Sequence, residues 1–265
     1  MTGSSALNTA RAELHRWARE PAVLVTLVVL VAVSGLLTYF AVNVATGSAS
    51  SGADGVQLQT DVVLDAGSTN EQLAAMPRSS LTMLVPIAAI VLGVYAAGSE
   101  MASGALLQLA VAARGLRSLF VVRSVILFVI LGVAGAAAGL ATLAATAVAV
   151  SQTSELAHLS VWHDAGSIIV GATVQALLIG FLAFGLSALT RRWVVITVGM
   201  LIYLVGVEPL LSGLLGGGSV WLPRTATSEL LMPEAELVHV IPTVVCALAF
   251  VAMALWSLHR EWAAR

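Results

Sequence analysis

Hydrophobic positions along this chain come in long unbroken blocks, with neither the period-two alternation of a half-buried strand nor much polar relief. The run Val23-Leu24-Val25-Thr26-Leu27-Val28-Val29-Leu30 is apolar on every side. No residue is charged between Glu20 and Asp54, Arg78 and Glu100, Arg123 and Glu155, Asp164 and Arg191, or Glu236 and Arg260. From Trp193 to Pro223 the only charge is Glu208. The shortest of the five fully uncharged runs covers positions 79–99, and a helix needs about 20 apolar residues to cross the hydrocarbon core. A single chain in lipid satisfies its backbone only as helices or as a closed barrel. Barrel strands alternate over about ten residues, so the pattern predicts helices. The predicted spans are 22–44, 79–98, 119–148, 166–189, a fifth starting at 193, and 239–258.

Two places depart from plain spans. Residues 6–20 carry Leu7, Ala10, Leu14 and Trp17 at spacings of three and four, with Glu13, Arg16, Arg19 and Glu20 on the opposite face. That spacing predicts an amphipathic interfacial helix ended by Pro21. The apolar run after it is longer than a signal-peptide core of roughly 7–15 residues, so a retained span is expected. The fifth span meets Glu208-Pro209 after fifteen uncharged residues (positions 193–207), about 22 Å of helix at 1.5 Å per residue. Gly213 and Gly216-Gly217-Gly218 follow, which predicts a broken or re-entrant outer segment over 208–236.

Composition then decides the solvent. Only 10% of the 265 residues are charged against 59% hydrophobic, whereas a soluble domain carries roughly 25% charged residues. All twelve basic residues are arginines. An inside amino terminus places ten of them inside: Arg11, Arg16, Arg19, Arg114, Arg117, Arg123, Arg191, Arg192, Arg260 and Arg265. Arg78 and Arg224 then lie outside. The positive-inside rule therefore predicts both termini in the cytoplasm. The expected fold is an all-α membrane protein of six transmembrane helices with an amino-terminal elbow helix. Its parts are an interfacial helix at 1–21, a six-helix transmembrane domain at 22–258 and a tail at 259–265. The domain includes an external loop at 45–78 and a cytoplasmic loop at 99–118.

Several chemistries are excluded or disfavoured. A Walker A loop requires a lysine, and the chain has none, so it holds no P-loop ATPase site of its own. CxxC and HExxH zinc patterns are absent. The single Cys246 rules out an intrachain disulfide. Gly185-Leu186-Ser187-Ala188-Leu189 lacks the second glycine of a nucleophile elbow. His158, His163 and Asp164 suit polar residues at the headgroup level better than metal ligands. Glu208, a carboxylate inside an apolar run, is a candidate for function by position. Against that stands a structural role, with Glu208-Pro209 capping a short outer helix beside a water-filled vestibule. Gly132, Gly135 and Gly139 include a small-xxx-small pair suited to close helix contact.

The loop Gly98-Ser99-Glu100-Met101-Ala102-Ser103-Gly104-Ala105-Leu106-Leu107-Gln108-Leu109, followed by Arg114, Arg117 and Arg123, predicts a short amphipathic helix with an acidic first turn. Glu100-x-x-x-Gly104 with the later arginines resembles the ABC-2 family of transporter permeases. The elbow helix, six spans, long first external loop and Val207-Glu208-Pro209-Leu210-Leu211 are similar to that family's layout. Ala105 and Ala113 stand where threonine and proline are usual. The resemblance implies that the loop is the coupling helix, with Glu100, Gly104, Leu107, Arg114 and Arg117 at the contact with a separate ATPase. Leu14, Arg16, Trp17 and Arg19 of the elbow would supply a second contact, and Glu208 and Pro209 would belong to the pathway or outer gate. It further implies a bacterial plasma-membrane exporter that dimerises with itself or a similar subunit, binds no cofactor, and leaves ATP and Mg²⁺ to cytosolic partner subunits. Expected substrates are hydrophobic or amphiphilic (drug, antibiotic, peptide or lipid). No nucleic acid is implied. An ATP-independent carrier or channel and a membrane-embedded enzyme using His158, His163 or Glu208 are the alternatives; a secondary carrier would show inverted repeats, and none is found.

Overall fold

The structure, a computed structural model, describes residues 11–46, 64–98, 116–233 and 235–263. Among them there is no strand. Residues 11–17 form helix α1. The long helices are α2 (Pro21–Ala45), α3 (Asn70–Gly98), α4 (Leu116–Ser151) and α5 (Ala165–Thr190). Helix α6 (Trp193–Ile202) runs through a π-helical turn, Tyr203–Val207, into α7 (Glu208–Leu215). A 3₁₀ segment, Gly216–Trp221, leads to α8 (Pro223–Glu229), and α9 (Ile241–Ala263) closes the chain. Among the described residues, six stretches are long and apolar enough to cross a membrane. The protein is thus a multi-pass membrane protein by length and composition.

Helix α5 is the centre of the bundle, packed against α3, α4 and α9, and α2 lies across α3 and α4. Glycine sets how closely these helices approach. A Cβ on Gly93 of α3 would collide with the Gly180 carbonyl of α5, and one on Gly185 would come within 2.8 Å of Phe250 of α9. The pair Gly135 and Gly139 faces Ala172 and Ile169 of α5, while Gly132 points into open space. Apolar packing that lipid tails could equally supply is not enough to associate helices, so backbone proximity and interhelical hydrogen bonds carry the specificity. One such bond runs from the Thr38 hydroxyl to Ser80 Oγ, 3.0 Å, joining α2 to α3. The Tyr39 hydroxyl of α2 also donates to Gln152 Oε1, in the turn just past α4, at 2.9 Å.

Helix α3 starts at Asn70, nine residues before the span expected to begin at Ser79, and contains Pro77 and Pro86. Its extra turns carry Arg78, which is buried and ion-paired to Asp164 of the α5 N-cap at 2.7 Å. That pair clamps α3 to α5 at one end of the bundle.

Helix α1 docks at the opposite end, near Tyr95 of α3 and Arg123 of α4. Its buried face is Glu13 and Trp17, and Leu14 is about half exposed at 49%. The amphipathic pattern placed Glu13 on the polar side with Leu14 on the apolar side; the structure rotates the helix. Trp17 stacks edge-on against Tyr95, with ring centres 6.0 Å apart. Glu13 is drawn inward by the buried Arg123, 3.5 Å away, and also contacts Arg16 at 3.7 Å. Burial pushes the Glu13 carboxyl above its ordinary value, opposed by the Arg16 guanidinium and a hydrogen bond from Trp17.

Candidate functional site

The fifth span is the least buried of the six, and its irregularity builds the candidate site. At the π turn the Glu208 N–H bonds back five residues to the Tyr203 carbonyl. An α-helical register would have used Leu204, so the Leu204 carbonyl is released. Arg224 takes it, with Nη1 donating at 3.0 Å. A one-residue π widening inside an α-helix often marks a functional position.

The chain reverses after α7, helped by Gly216 at φ 51, a conformation that favours glycine. It then returns to Glu208. Leu222, at the N-cap of α8, offers no side-chain cap. The cap comes instead from Glu208, sixteen residues back in sequence from Arg224. Its Oε1 accepts the backbone N–H of Arg224 at 2.7 Å and of Thr225 at 2.9 Å, with the Thr225 hydroxyl at 3.4 Å. Glu208 is only 1% exposed. A carboxylate at a helix N-terminus satisfies donors that have no intrahelical partner and meets the positive end of the dipole. Its other oxygen, Oε2, is buried with no hydrogen-bond partner among the described residues.

Helix α8 is held against α5 from the other side. Gln175, fully buried at mid-helix, reaches Thr227 Oγ1 at 3.5 Å, and the Thr227 hydroxyl in turn donates to the Pro223 carbonyl at 2.8 Å. A Cβ on Gly171 would strike the Leu230 carbonyl, so glycine lets the returning chain lie directly on α5. Irregular backbone at membrane depth survives only where protein or a water-filled cavity satisfies it. Glu208, Arg224, Gln175 and Gly171 provide much of that satisfaction here.

Two clefts open beside this assembly and share Arg224. One, of about 240 Å³, is polar, with Thr82, Ser212, Thr225 and Ser228 around Glu208 and Pro209. The second, of about 160 Å³, is apolar, formed by Met83, Pro86, Ile87, Leu204 and Val205. Both lie between α3 and the fifth span.

The remaining candidates are spread along the chain. Glu100, Gly104, Leu107 and Arg114 lie outside the described residues; Arg117 falls in the first turn of α4. Within α1, Trp17 is buried, Leu14 is exposed and Arg16 is half-buried, and Arg19, in the turn after it, is exposed. His158 lies 3.3 Å from the Ser68 carbonyl, and His163 is 3.9 Å from Asp164, whose main partner is Arg78. Among the described residues no cluster of three or more His, Cys, Asp or Glu is arranged to hold a metal ion. Arg224 escaped sequence reasoning. The available signal was its being the one arginine after the triple glycine and before the last span, but its partners became visible only with the chain reversal. No protein-family model matches the chain, and no curated protein does either.

Proposed function

We propose that this chain is the transmembrane subunit of an ATP-driven exporter of the ABC-2 type. In this reading both termini and the arginine-rich end face the cytoplasm of a bacterium. A separate ATPase docks on the loop around Glu100–Leu109, and a second permease subunit completes the transporter. The observation that supports it best is where the two helices flanking that loop end and begin, at Gly98 and Leu116. The loop joins α3, the most buried of the six spans, to α4, at the end where Trp17, Arg123 and Trp193 also gather. Trp193 meets Gly98, the last residue of α3, across that end. A displacement of the loop would therefore be passed directly to α3. Helix α3 in turn forms one wall of the clefts beside Glu208, so motion at the ATPase would change the shape of a polar-apolar pathway in the outer half. The mixed lining suits a hydrophobic or amphiphilic substrate better than a sugar.

The test is to purify the tagged chain from its native membrane in mild detergent, with whatever partner it holds, and to measure vanadate-sensitive ATP hydrolysis. The proposal expects hydrolysis by a co-purifying Walker A protein, lost in Glu100→Arg while that variant still inserts and folds. A well-folded chain with no associated ATPase, or one whose hydrolysis ignores Glu100→Arg, would contradict it.

A further inference from the structure

From the paired clefts at Arg224 we infer a binding site for a zwitterionic amphiphile, a molecule with an ammonium group, a phosphate or carboxylate, and an apolar chain. The polar and apolar volumes together fall within the roughly 300–1,000 Å³ typical of small-ligand sites. They adjoin at one side chain, which matches a head-and-tail molecule rather than a uniformly polar one.

The charges define the head. Arg224 spends one guanidinium nitrogen on the Leu204 carbonyl. A guanidinium has five N–H donors in a planar fork suited to phosphate or carboxylate, so donors remain at the junction of the two clefts. Glu208 spends Oε1 on the α8 N-terminus, and its buried Oε2 has no donor among the described residues. One cation with spare donors and one carboxylate with a spare acceptor are matched by a ligand carrying one charge of each sign. A purely anionic head would meet Glu208 and a purely cationic one would meet Arg224, each at like-charge expense in a low-dielectric site. The hydroxyls of Thr82, Ser212 and Ser228 line the same cleft and can serve a phosphate or its ester oxygens. Met83, Ile87 and Val205 offer the tail an apolar wall.

This inference gives the substrate class of the exporter proposed above and rests on that reading for its biological purpose. The binding event itself needs no ATPase. The experiment is titration of the purified full chain, in a neutral maltoside detergent, by native mass spectrometry. The probe is lysophosphatidylethanolamine. Comparators are lysophosphatidylglycerol, an alkyltrimethylammonium of equal chain length, and phosphoethanolamine with no chain. Expected is binding of the zwitterionic probe at least tenfold tighter than any comparator, weakened at least tenfold in Arg224→Gln. Ile87→Trp, which keeps both charges and fills the apolar cleft, should weaken the probe but leave chain-free phosphoethanolamine unchanged. Equal binding of the three chain-bearing compounds would mean an unspecific lipid belt and overturn the site. So would a free head group that binds as well as the lipid, or undiminished binding in a folded Arg224→Gln. If Arg224→Gln does not fold, unweakened probe binding in Ile87→Trp overturns it instead. Failure of binding with ATPase association intact would sink this site alone; binding without any ATPase partner would sink the exporter alone.

Discussion

Removing the acceptor at Glu208 should release helix α8, and the size of the effect follows from its contacts. Glu208→Ala leaves the N–H groups of Arg224 and Thr225, now bonded at 2.7 and 2.9 Å, without a partner from the chain. An orphaned buried donor costs roughly 1–3 kcal/mol. Because the polar cleft adjoins these groups, water can reach some of them, which favours the lower half of the doubled range. We expect a loss of about 2–4 kcal/mol, against about 1 kcal/mol for an exposed helix cap. Glu208→Gln keeps an amide oxygen where Oε1 sits and can still accept both N–H bonds, so it should lose less than about 1 kcal/mol by the same bookkeeping. The contrast separates an acceptor role from a charge role. The assay is thermal unfolding in detergent followed by tryptophan fluorescence, paired with limited trypsin digestion at Arg224. Glu208→Ala should unfold earlier and be cut after Arg224; Glu208→Gln should resemble the parent in both. Equal destabilisation by the two variants, or parental stability of Glu208→Ala, would refute the capping argument.

Other outcomes follow from the same contacts. Arg78 and Asp164 are nearly buried, so Asp164→Asn or Arg78→Met should each cost on the order of 3–5 kcal/mol, while the double variant recovers part of it; strictly additive losses in a double-mutant cycle would show that the pair does not form. Gly93→Val should reduce the folded yield in detergent, since its side chain would meet the Gly180 backbone, whereas Gly132→Val, at a glycine with open space around it, should be tolerated; size-exclusion profiles compare them. Burial raises the Glu13 carboxyl in the folded state, so the folded protein holds the proton more tightly than the unfolded chain. Its contribution to stability is then fully present below the unfolded value of about 4.3 and declines as pH rises through the folded one. Glu13→Gln should flatten the fall of unfolding temperature with pH across that window, and a steeper fall would reverse the sign argued here.

The spans were legible because a chain in lipid has to write them as runs with almost no charge, and the five uncharged runs and the one holding only Glu208 match the six apolar stretches of the described residues. The start of α3 was not. Pro77 and Arg78 look like loop residues to any local rule, and only Asp164, 86 positions away, makes a buried arginine tolerable there. Glu13 failed for a related reason. Helical spacing alone puts it with Arg16 and Arg19, but Arg123 from another helix decides which face is turned inward. Glu208 was visible as the single charge in an apolar stretch, and the structural reading of it held part of the result. It opens a short helix with Pro209, and its carboxylate caps a different one. That second role depends on the chain turning back at Gly216, which brings Arg224 and Thr225 to it. The glycine pair at 135 and 139 was correctly seen as a contact surface; that Gly132 is not part of it depends on where α5 lies.

The claim on which the account stands is that the chain threads the membrane six times with ten of its twelve arginines held on the cytoplasmic side. Single cysteines placed at Arg191 and Ser160, in a Cys246→Ala background, test it by labelling with a membrane-impermeant maleimide. In intact cells the cysteine at position 160 should react and that at position 191 should not, until the membrane is permeabilised. A cysteine at 191 that reacts from outside intact cells, or a chain recovered without detergent, would contradict the account.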